Sequence, residues 1–315
     1  MKITDVTGCA GSVILILAAS AFLPVLGPFI RLLIPLPFLY YSSKLGQVEG
    51  IKTCVIVLLI MALISRLTGN SSLLIFTIEF SIFGLIISEL FRRELSFGYT
   101  VILGTGLMLF TGMIFLFIIG LQKGVTPLDM IHDYLDIIQS SFHEVVVYYE
   151  EKGLDEEKIA EQKEIFQLLS KLILRIYPSL IIIGTGFITW VNIVVSRPLF
   201  RFGGVKYPDF GQLGRWQAPE KLIWCVIAAG FAMFLPTSGI RLLAENCLIV
   251  LSVVYFFNGL AIVIFFFNKY NIPTLARIVL YLVIIIQLIF IVILTFAGLF
   301  DQWADFRKIH NKKTS

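Results

Sequence analysis

Long apolar runs, separated by short polar loops, fill most of this chain. A transmembrane helix needs about 20 largely apolar residues, and nine runs reach or approach that length. They cover residues 8–26, 28–41, 51–67, 71–91, 98–121, 174–196, 221–238, 242–268 and 275–300. The pattern predicts an all-α fold, a polytopic transmembrane helix bundle with eight or nine spans.

The second run, residues 28–41, decides between the two numbers. It is short and contains Arg31, Pro35 and Pro37, and a proline removes a backbone hydrogen bond that a continuous helix would make. Either this run crosses the bilayer, or it is a discontinuous or re-entrant segment. A re-entrant segment must be packed inside the bundle, because lipid cannot satisfy free backbone groups.

Residues 122–175 interrupt the series of apolar runs. Thr126-Pro127-Leu128-Asp129 is typical of a helix start, with an N-cap hydroxyl and a proline at the first helical position. Apolar residues then recur every three or four positions and form one face: Leu128, Ile131, Leu135, Ile138, Phe142, Val145 and Tyr149. Gly153 ends this helix and Asp155 caps a second one. We predict an amphipathic helical hairpin that lies on the bilayer, or packs against the membrane domain or a partner.

These patterns divide the chain into three parts. Residues 1–121 form an N-terminal transmembrane bundle, and residues 122–175 form the amphipathic hairpin. Residues 176–315 form a C-terminal transmembrane bundle that ends in a short basic tail.

The composition excludes a soluble protein. Hydrophobic residues make up 58% and charged residues 15% of the 315 residues, and the mean hydropathy is +0.91, whereas globular domains contain about 25% charged residues. A domain of this size has too much surface for its volume to bury so many apolar side chains. We therefore expect the lipid bilayer to cover this surface.

The net charge of +4 is unevenly distributed. Residues 122–175 contain eleven acidic and six basic residues, whereas the loops 42–52, 92–97 and 197–221 are basic. The positive-inside rule places basic loops in the cytoplasm, and nine spans put all three there and the acidic segment outside. Nine spans also leave the basic tail outside, so either one run does not span or the tail departs from the rule. The basic residues form no stripe, which argues against nucleic-acid binding.

No pattern typical of a metal, cofactor or catalytic site is present. The four cysteines are scattered and form no CxxC or Cys/His cluster. His132 and His143 are three helical turns apart, roughly 16 Å, which is too far to share a metal ion. We expect neither a metal nor a cofactor, and we expect that the protein is not an enzyme.

Glu79 is the most unusual residue, because it is ionisable and lies within an apolar run. It is about eight residues into the run 71–91, roughly 12 Å deep at 1.5 Å per residue. Such a group costs at least about 2–3 kcal/mol unless it is paired, neutral or hydrated. We predict that Glu79 marks an intramembrane substrate or proton site, with Arg31 as its candidate partner. The alternative is a protonated structural glutamate that is hydrogen-bonded to a neighbouring helix.

Other polar residues in the apolar runs suit helix packing and interface anchoring. Asn192, Asn258 and Gln287 are candidates for interhelical hydrogen bonds, which contribute about 1 kcal/mol each in membranes. Aromatic and basic side chains both favour the headgroup region. On that basis the predicted interface anchors are Arg201, Tyr207, Trp216, Trp303 and Arg307.

Three motifs in the last third of the chain resemble those of a known family. They are an aromatic-x-x-Pro-Glu pattern from Trp216 to Glu220, the stretch beginning Asn258-Gly259, and a closing Gly-Leu-x-Asp-x-Trp-x-Asp-Phe-Arg from Gly298 to Arg307. Together with the layout of the chain, they resemble the YybS-like family of bacterial membrane proteins. The resemblance implies a multi-pass protein of the bacterial inner (cytoplasmic) membrane and supplies no catalytic residues. The N-terminal bundle is also loosely similar to the substrate-binding subunits of energy-coupling-factor vitamin transporters, an analogy at the level of fold.

Two functional hypotheses follow. The first is a small-molecule transporter or a substrate-binding transport subunit, indicated by Glu79, Arg31 and the proline-interrupted runs. No ATP-binding motif is present, so an ion gradient or a partner ATPase would supply the energy. The alternative is a non-transporting membrane scaffold or partner-binding protein, indicated by the hairpin and the aromatic, basic loop. The expected partners are the lipid bilayer, a small-molecule substrate under the first hypothesis, and a membrane or ATPase protein.

Overall fold

The computed structural model describes residues 2–23, 25–151 and 156–308, which fold into helices joined by loops. The helices are α1 (Ile3–Phe22), α2 (Gly27–Arg31), α3 (Pro35–Leu45), α4 (Gln47–Thr68), α5 (Ser71–Arg92), α6 (Phe97–Lys123), α7 (Pro127–Glu151), α8 (Glu156–Phe202), α9 (Leu222–Ala232), α10 (Ser238–Lys269), α11 (Thr274–Ile286) and α12 (Leu288–Ala304), with a 3₁₀ turn at Leu213–Arg215. The described part of the chain contains no strand. The predicted all-α fold is confirmed.

Within the described residues, six helices are long and apolar enough to cross a membrane, namely α1, α4, α5, α6, α8 and α10. The bent pair α11–α12 adds a seventh crossing if it counts as one span. The predicted bundle of membrane helices is therefore confirmed, but the predicted number of eight or nine spans is too high. Three apolar runs fold in ways that their length does not indicate.

The first of these runs, residues 28–41, forms two short helices. After α2 ends at Arg31, residues 32–34 form tight turns in which each amide bonds to the carbonyl three residues earlier, as Leu32 N does to Phe29 O at 3.2 Å. Pro35 and Pro37 occupy the first turn of α3, where a missing N–H removes no helical hydrogen bond. Residues 28–41 are therefore a discontinuous segment and not a continuous helix, which is one of the two alternatives predicted from its prolines.

The second run, residues 221–238, forms only the 11-residue helix α9. At 1.5 Å per residue this helix is about 16 Å long, roughly half the thickness of a bilayer core. Turns follow at residues 233–236, and Pro236 cannot continue a helix because it lacks an N–H.

The third run, residues 275–300, is broken in its middle. Gln287 has an extended backbone with φ −102° and ψ 109°, and the axes of α11 and α12 differ by 100° there. Gln287 therefore separates two helices instead of lying within one.

The chain forms two compact units. Unit 1 contains Met1–Phe115 and Gly184–Phe210, and unit 2 contains Leu116–Ile183 and Gly211–Ser315. The boundaries fall inside α6 and α8, so each of these helices contributes to both units. The three-part division at residues 121 and 175 follows the apolar runs and remains a prediction.

α3 lies in the interior of unit 1. Its first five residues, Pro35–Leu39, are all buried, and the helix packs against α1, α4 and α5. A glycine on α5 permits this approach, since a Cβ on Gly84 would lie 2.7 Å from both Phe38 Cβ and Pro35 O. Protein therefore covers residues 34–39 of the discontinuous segment, whereas Pro28, Phe29 and Arg31 of α2 are exposed.

Three basic segments meet at one end of unit 1. Ser43 Oγ, beside Lys44 on α3, lies 3.0 Å from Ser88 Oγ on α5. Lys206 Nζ, in the loop after α8, is 2.5 Å from Glu94 Oε1, just after α5. These contacts bring the basic loops onto one face, as the charge pattern indicated. That this face is cytoplasmic remains a prediction.

The start of α7 matches the sequence pattern. Asp129 N donates a hydrogen bond to Thr126 Oγ1 at 3.2 Å, and Thr126 N donates one to Asp129 Oδ2 at 2.9 Å, so the two residues cap the helix reciprocally. Gly153 and Asp155, which form the predicted turn, lie outside the described residues. α8 is a continuous helix of 47 residues. The second hairpin helix and the apolar run 174–196 are therefore one element.

α10 and α12 pack closely in unit 2. A Cβ on Gly259 of α10 would overlap the carbonyl oxygen of Leu294, and a Cβ on Gly298 of α12 would overlap that of Tyr255. Only glycine lets the two backbones approach to this distance, as is common where helices cross in membranes.

Candidate functional site

Glu79 is half-buried on α5, inside a helix that qualifies as a membrane span. Its Oε1 atom faces α6 and would be 3.6 Å from a Cβ placed on Gly112. In the part of the chain that the structure describes, the carboxyl group forms no ion pair and no hydrogen bond. The contact places a carboxyl group of α5 against the backbone of α6.

Arg31, the candidate partner of Glu79, is directed elsewhere. Its Nε atom donates a hydrogen bond to Ser20 Oγ at 3.1 Å, so the side chain links α2 to the end of α1. α2 packs against α1 because Gly27 permits contact with the Ser20 carbonyl. The predicted pairing of Arg31 with Glu79 is therefore not formed among the described residues.

Asn192 supports the break between α2 and α3. Its Nδ2 atom donates to Leu32 O and to Ile188 O, both at 2.8 Å, so it satisfies a carbonyl at the break. The side chain is fully buried, and within the described residues its Oδ1 atom has no hydrogen-bond partner. The contact places a polar acceptor beside the discontinuous segment of unit 1. The sequence indicated Asn192 as a candidate for an interhelical hydrogen bond, but not that its acceptor would be the Leu32 carbonyl.

A second polar cluster lies in unit 2, around Arg307. Its Nη2 atom donates to Asp301 Oδ2 at 2.6 Å and to Asn258 Oδ1 at 3.1 Å. Its Nη1 atom donates to the carbonyl oxygens of Gly214 at 2.9 Å and Trp216 at 2.8 Å. The side chains of Arg307 and Asp301 are 0% and 1% exposed. We call these five residues the arginine cluster.

The arginine cluster holds a loop against two helices. Asn258 on α10 also donates to Gly298 O on α12 at 2.7 Å, which adds an interhelical bond where the backbones cross. Gly214 packs on α10, since a Cβ there would lie 2.9 Å from Phe265 N. A guanidinium that is already neutralised and hydrogen-bonded to two carbonyls leaves little capacity for a ligand. The evident role of the arginine cluster is structural.

The arginine cluster unites the motifs that the sequence presents separately. Trp216, Asn258, Asp301 and Arg307 belong to it, and Gly298 O accepts a hydrogen bond from its member Asn258. We predicted that Trp216 and Arg307 anchor the protein at the bilayer interface; the structure instead buries Arg307, because Asp301 and the loop carbonyls replace the water around it. Asp301 is only six residues from Arg307, but the other partners are 49 to 93 residues away, so no spacing in the sequence indicates the whole cluster.

Two further predicted anchors and Gln287 remain at the surface. Arg201 and Trp303 are exposed, as an interface position requires. Gln287 is also exposed, at the break between α11 and α12. The Gln287 side chain therefore lies at a break between two helices and not at a contact between packed helices.

Tyr207 lies in an aromatic cluster at the basic end of unit 1. Its ring forms edge-to-face contacts with Phe91, Phe200 and Phe210, with centroids 5.4–5.8 Å apart. Its hydroxyl donates to Ile193 O at 2.7 Å. Burial raises the pKa of the Tyr207 phenol to about 12. Tyr207 therefore fixes the loop to α8, in addition to any contact with lipid.

Replacing Tyr207 with phenylalanine should lower the free energy of unfolding by about 1 kcal/mol, because one hydrogen bond is lost and the ring contacts stay. Thermal unfolding of the purified protein measures this change. Tyr99→Phe is the control. Tyr99 is 63% exposed, so removal of its hydroxyl should leave the unfolding temperature unchanged. Equal effects of the two substitutions would show that the Tyr207 hydroxyl contributes nothing.

No metal site is apparent in the described residues: they contain no group of three or more His, Cys, Asp or Glu side chains that could hold an ion. The side chains of His132 and His143 lie outside the described part of the chain. The expectation that no metal is bound remains a prediction.

Comparison with known proteins agrees with this architecture. Residues 12–302 match a family described as predicted membrane protein (DUF2232). The chain is 20% identical over 289 residues to a Bacillus subtilis (strain 168) protein named Uncharacterized protein YybS, and the match covers 89% of each chain. No solved structure matches. Because the family match covers most of the chain, this protein belongs to the DUF2232 family of membrane proteins, in agreement with the YybS-like motifs.

Proposed function

We propose, from membership in this family of integral membrane proteins, that the protein is a small-molecule transporter or the substrate-binding subunit of a transporter. We place it in the inner membrane of a bacterium, since its relative is bacterial. The observation that carries the proposal is Glu79, a half-buried carboxyl group in a membrane helix that has no partner among the described residues. Ionisable groups within membrane spans are rare and costly, and they are found along substrate and ion pathways.

The discontinuous segment α2–α3 supports the same proposal. Transporters commonly build their binding sites from broken helices, whose free backbone groups and side chains can contact a solute. In unit 1 the break lies next to the buried amide of Asn192, which bonds to Leu32 O. Unit 1 thus combines a broken helix, a buried amide and an intramembrane carboxyl group.

The alternative function, a membrane scaffold or partner-binding protein, relies on the amphipathic helix α7. Of the predicted apolar face, Leu128 and Val145 are exposed and Ile131 is half-buried. This face offers a surface but indicates no particular partner, whereas Glu79 is a single residue whose role can be tested. We therefore give priority to the transport proposal.

A ligand screen of the purified protein tests the proposal. Vitamins, amino acids, nucleobases and lipids would be compared for their effect on the unfolding temperature, since a ligand that binds only the folded state raises it. We expect a specific hit, and we expect Glu79→Gln to reduce binding or uptake of that hit by about tenfold or more, because glutamine keeps the size of the side chain but removes its charge and its proton, and hydrogen bonds to a charged group are the stronger ones.

Glu89→Gln is the matched control on the same helix. Glu89 lies near the end of α5 and pairs with Arg92 and Arg93, each at 3.2 Å, so its loss should not change binding. Normal uptake by a well-assembled Glu79→Gln variant would refute the role of Glu79. If no compound changed the unfolding temperature and another protein co-purified in a fixed stoichiometry, the scaffold function would be favoured.

A further inference from the structure

Five basic side chains at the basic end of unit 1 are paired with carboxylates. The pairs join Lys44 to Asp5, Lys52 to Glu49, Arg92 and Arg93 to Glu89, and Lys206 to Glu94. Arg197 and Arg201, in the last turns of α8, differ from these. Both are exposed, and within the described residues neither has a carboxylate within 4.0 Å. The two arginines therefore present positive charge that the protein does not compensate locally.

Arg197 and Arg201 lie on one face of α8, because residues four apart are neighbours on a helix surface. Like charges at this spacing repel each other, so an anion that contacts both guanidinium groups relieves the repulsion. The planar guanidinium matches a phosphate group and can donate two parallel hydrogen bonds to it. The pair therefore favours an anionic partner, and a phosphate above all.

The helix that carries the two arginines is held by packing. Phe200, which lies between them in the sequence, is fully buried, and its ring forms an edge-to-face contact with Tyr207. Burial raises the pKa of the Tyr207 phenol, and the charge of Arg197 lowers it in part, so Arg197 lies near this ring. The backbone of the arginine pair is thus in place before any partner binds.

Exposed apolar side chains occupy the same turns of α8. Leu199 is 37% exposed and Phe202 is 91% exposed, and residues 197–202 extend over about 8 Å at 1.5 Å per residue. They form the end of a helix that qualifies as a membrane span. A phospholipid has acyl chains that can cover these side chains, whereas a free phosphate ion has none. Charge and apolar surface together therefore favour a lipid.

We propose that Arg197 and Arg201 bind the headgroup phosphate of an anionic phospholipid, whose acyl chains cover Leu199 and Phe202. The proposal extends the predicted anchoring role of Arg201 to a second arginine and to one class of lipid. It goes beyond the proposed transport function and does not depend on Glu79.

The test titrates the full-length protein in detergent with phosphatidylglycerol and with phosphatidylcholine of the same acyl chains, and counts bound lipids by native mass spectrometry. Phosphatidylglycerol should bind about tenfold or more tightly than phosphatidylcholine, because basic side chains attract anionic headgroups and each of the two arginines contributes. The preference should fall as the ionic strength rises, since salt screens exposed charges.

The double variant Arg197→Gln/Arg201→Gln should lose this preference and bind phosphatidylcholine as the wild type does. Both arginines are exposed, so the variant should keep the unfolding temperature of the wild type. Arg197→Lys/Arg201→Lys is the second variant. It keeps both charges but not the planar fork, so its affinity for phosphatidylglycerol should lie between those of the wild type and the glutamine variant.

Lys52→Gln/Lys206→Gln is the matched control. It removes the same number of positive charges from the same end of unit 1, but from side chains that are paired with Glu49 and Glu94. It should retain the preference for phosphatidylglycerol. An equal loss of preference in the lysine and arginine double variants would overturn the site, because net charge alone would then explain binding.

Two further outcomes would overturn the proposal. One is equal affinity of the wild type for phosphatidylglycerol and phosphatidylcholine. The other is displacement of phosphatidylglycerol by inorganic phosphate at equal concentration, which would identify a free anion and not a lipid as the partner. The transport function is decided separately, by the ligand screen and the Glu79→Gln variant.

Discussion

Replacing Arg307 with methionine should lower the free energy of unfolding by about 3–5 kcal/mol, the range found when one partner of a buried ion pair is removed. The substitution would leave the Asp301 carboxylate, which is 1% exposed, without a counter-ion. The carbonyls of Gly214 and Trp216 would each lose a donor. The loop that carries them should then detach from α10, and the protein should become sensitive to proteolysis at this loop.

Chemical unfolding of the purified protein, combined with limited proteolysis, measures this effect. Lys206→Met is the control, because the Lys206–Glu94 pair is exposed on both sides and exposed pairs contribute little. The double variant with Asp301→Asn should be less destabilised than the two single losses predict together, because it leaves no buried charge behind. If Arg307→Met were as stable as the wild type, the stabilising role of the arginine cluster would be contradicted.

The second large effect is expected at the crossing of α10 and α12. Alanine at Gly298 would place a Cβ in the position of the Tyr255 carbonyl oxygen, and alanine at Gly259 would do the same at Leu294. Backbone cannot move aside as a flexible side chain can, so the two helices must separate. Overpacking of this kind costs about 1–3 kcal/mol or more, and separation would also stretch the Asn258–Gly298 hydrogen bond.

The measurement compares the unfolding temperature and the monodisperse yield of Gly298→Ala and Gly259→Ala with those of Gly230→Ala. Gly230 lies in α9 and nothing lies within 4 Å of its Cβ position. Alanine there should be neutral or slightly stabilising, because glycine is a poor helix former. If the three variants behaved alike, the close crossing of α10 and α12 would be refuted.

These two predictions concern the motifs that resemble the YybS-like family. Asn258, Gly298 and Arg307 lie up to 49 residues apart, yet they meet in one buried cluster. The motifs therefore describe how unit 2 holds together. The functional proposal relies instead on Glu79 in unit 1, which lies outside all three motifs.

Single residues show how far each kind of sequence evidence extends. The start of α7 could be predicted because Thr126 and Asp129 are three residues apart, and helix capping depends on local contacts only. The discontinuity of residues 28–41 was one of two predicted alternatives, because Pro35 and Pro37 act on their own backbone. The pairing of Arg31 was predicted incorrectly, since its partner depends on the packing of α2 against α1 through Gly27.

By itself, the sequence determined that this protein is a helical membrane protein, roughly where α4, α5, α6 and α10 lie, and that Glu79 is an unusual residue in its span. These properties follow from hydropathy and local geometry, which act over a few turns of chain. Only the tertiary structure decided that fewer runs cross the bilayer than their length indicates, that Arg307 is buried in an ion pair with Asp301, and that Glu79 lies against Gly112 of α6. Those properties depend on which side chains meet across distant helices, and the packing that brings them together is a property of the whole fold.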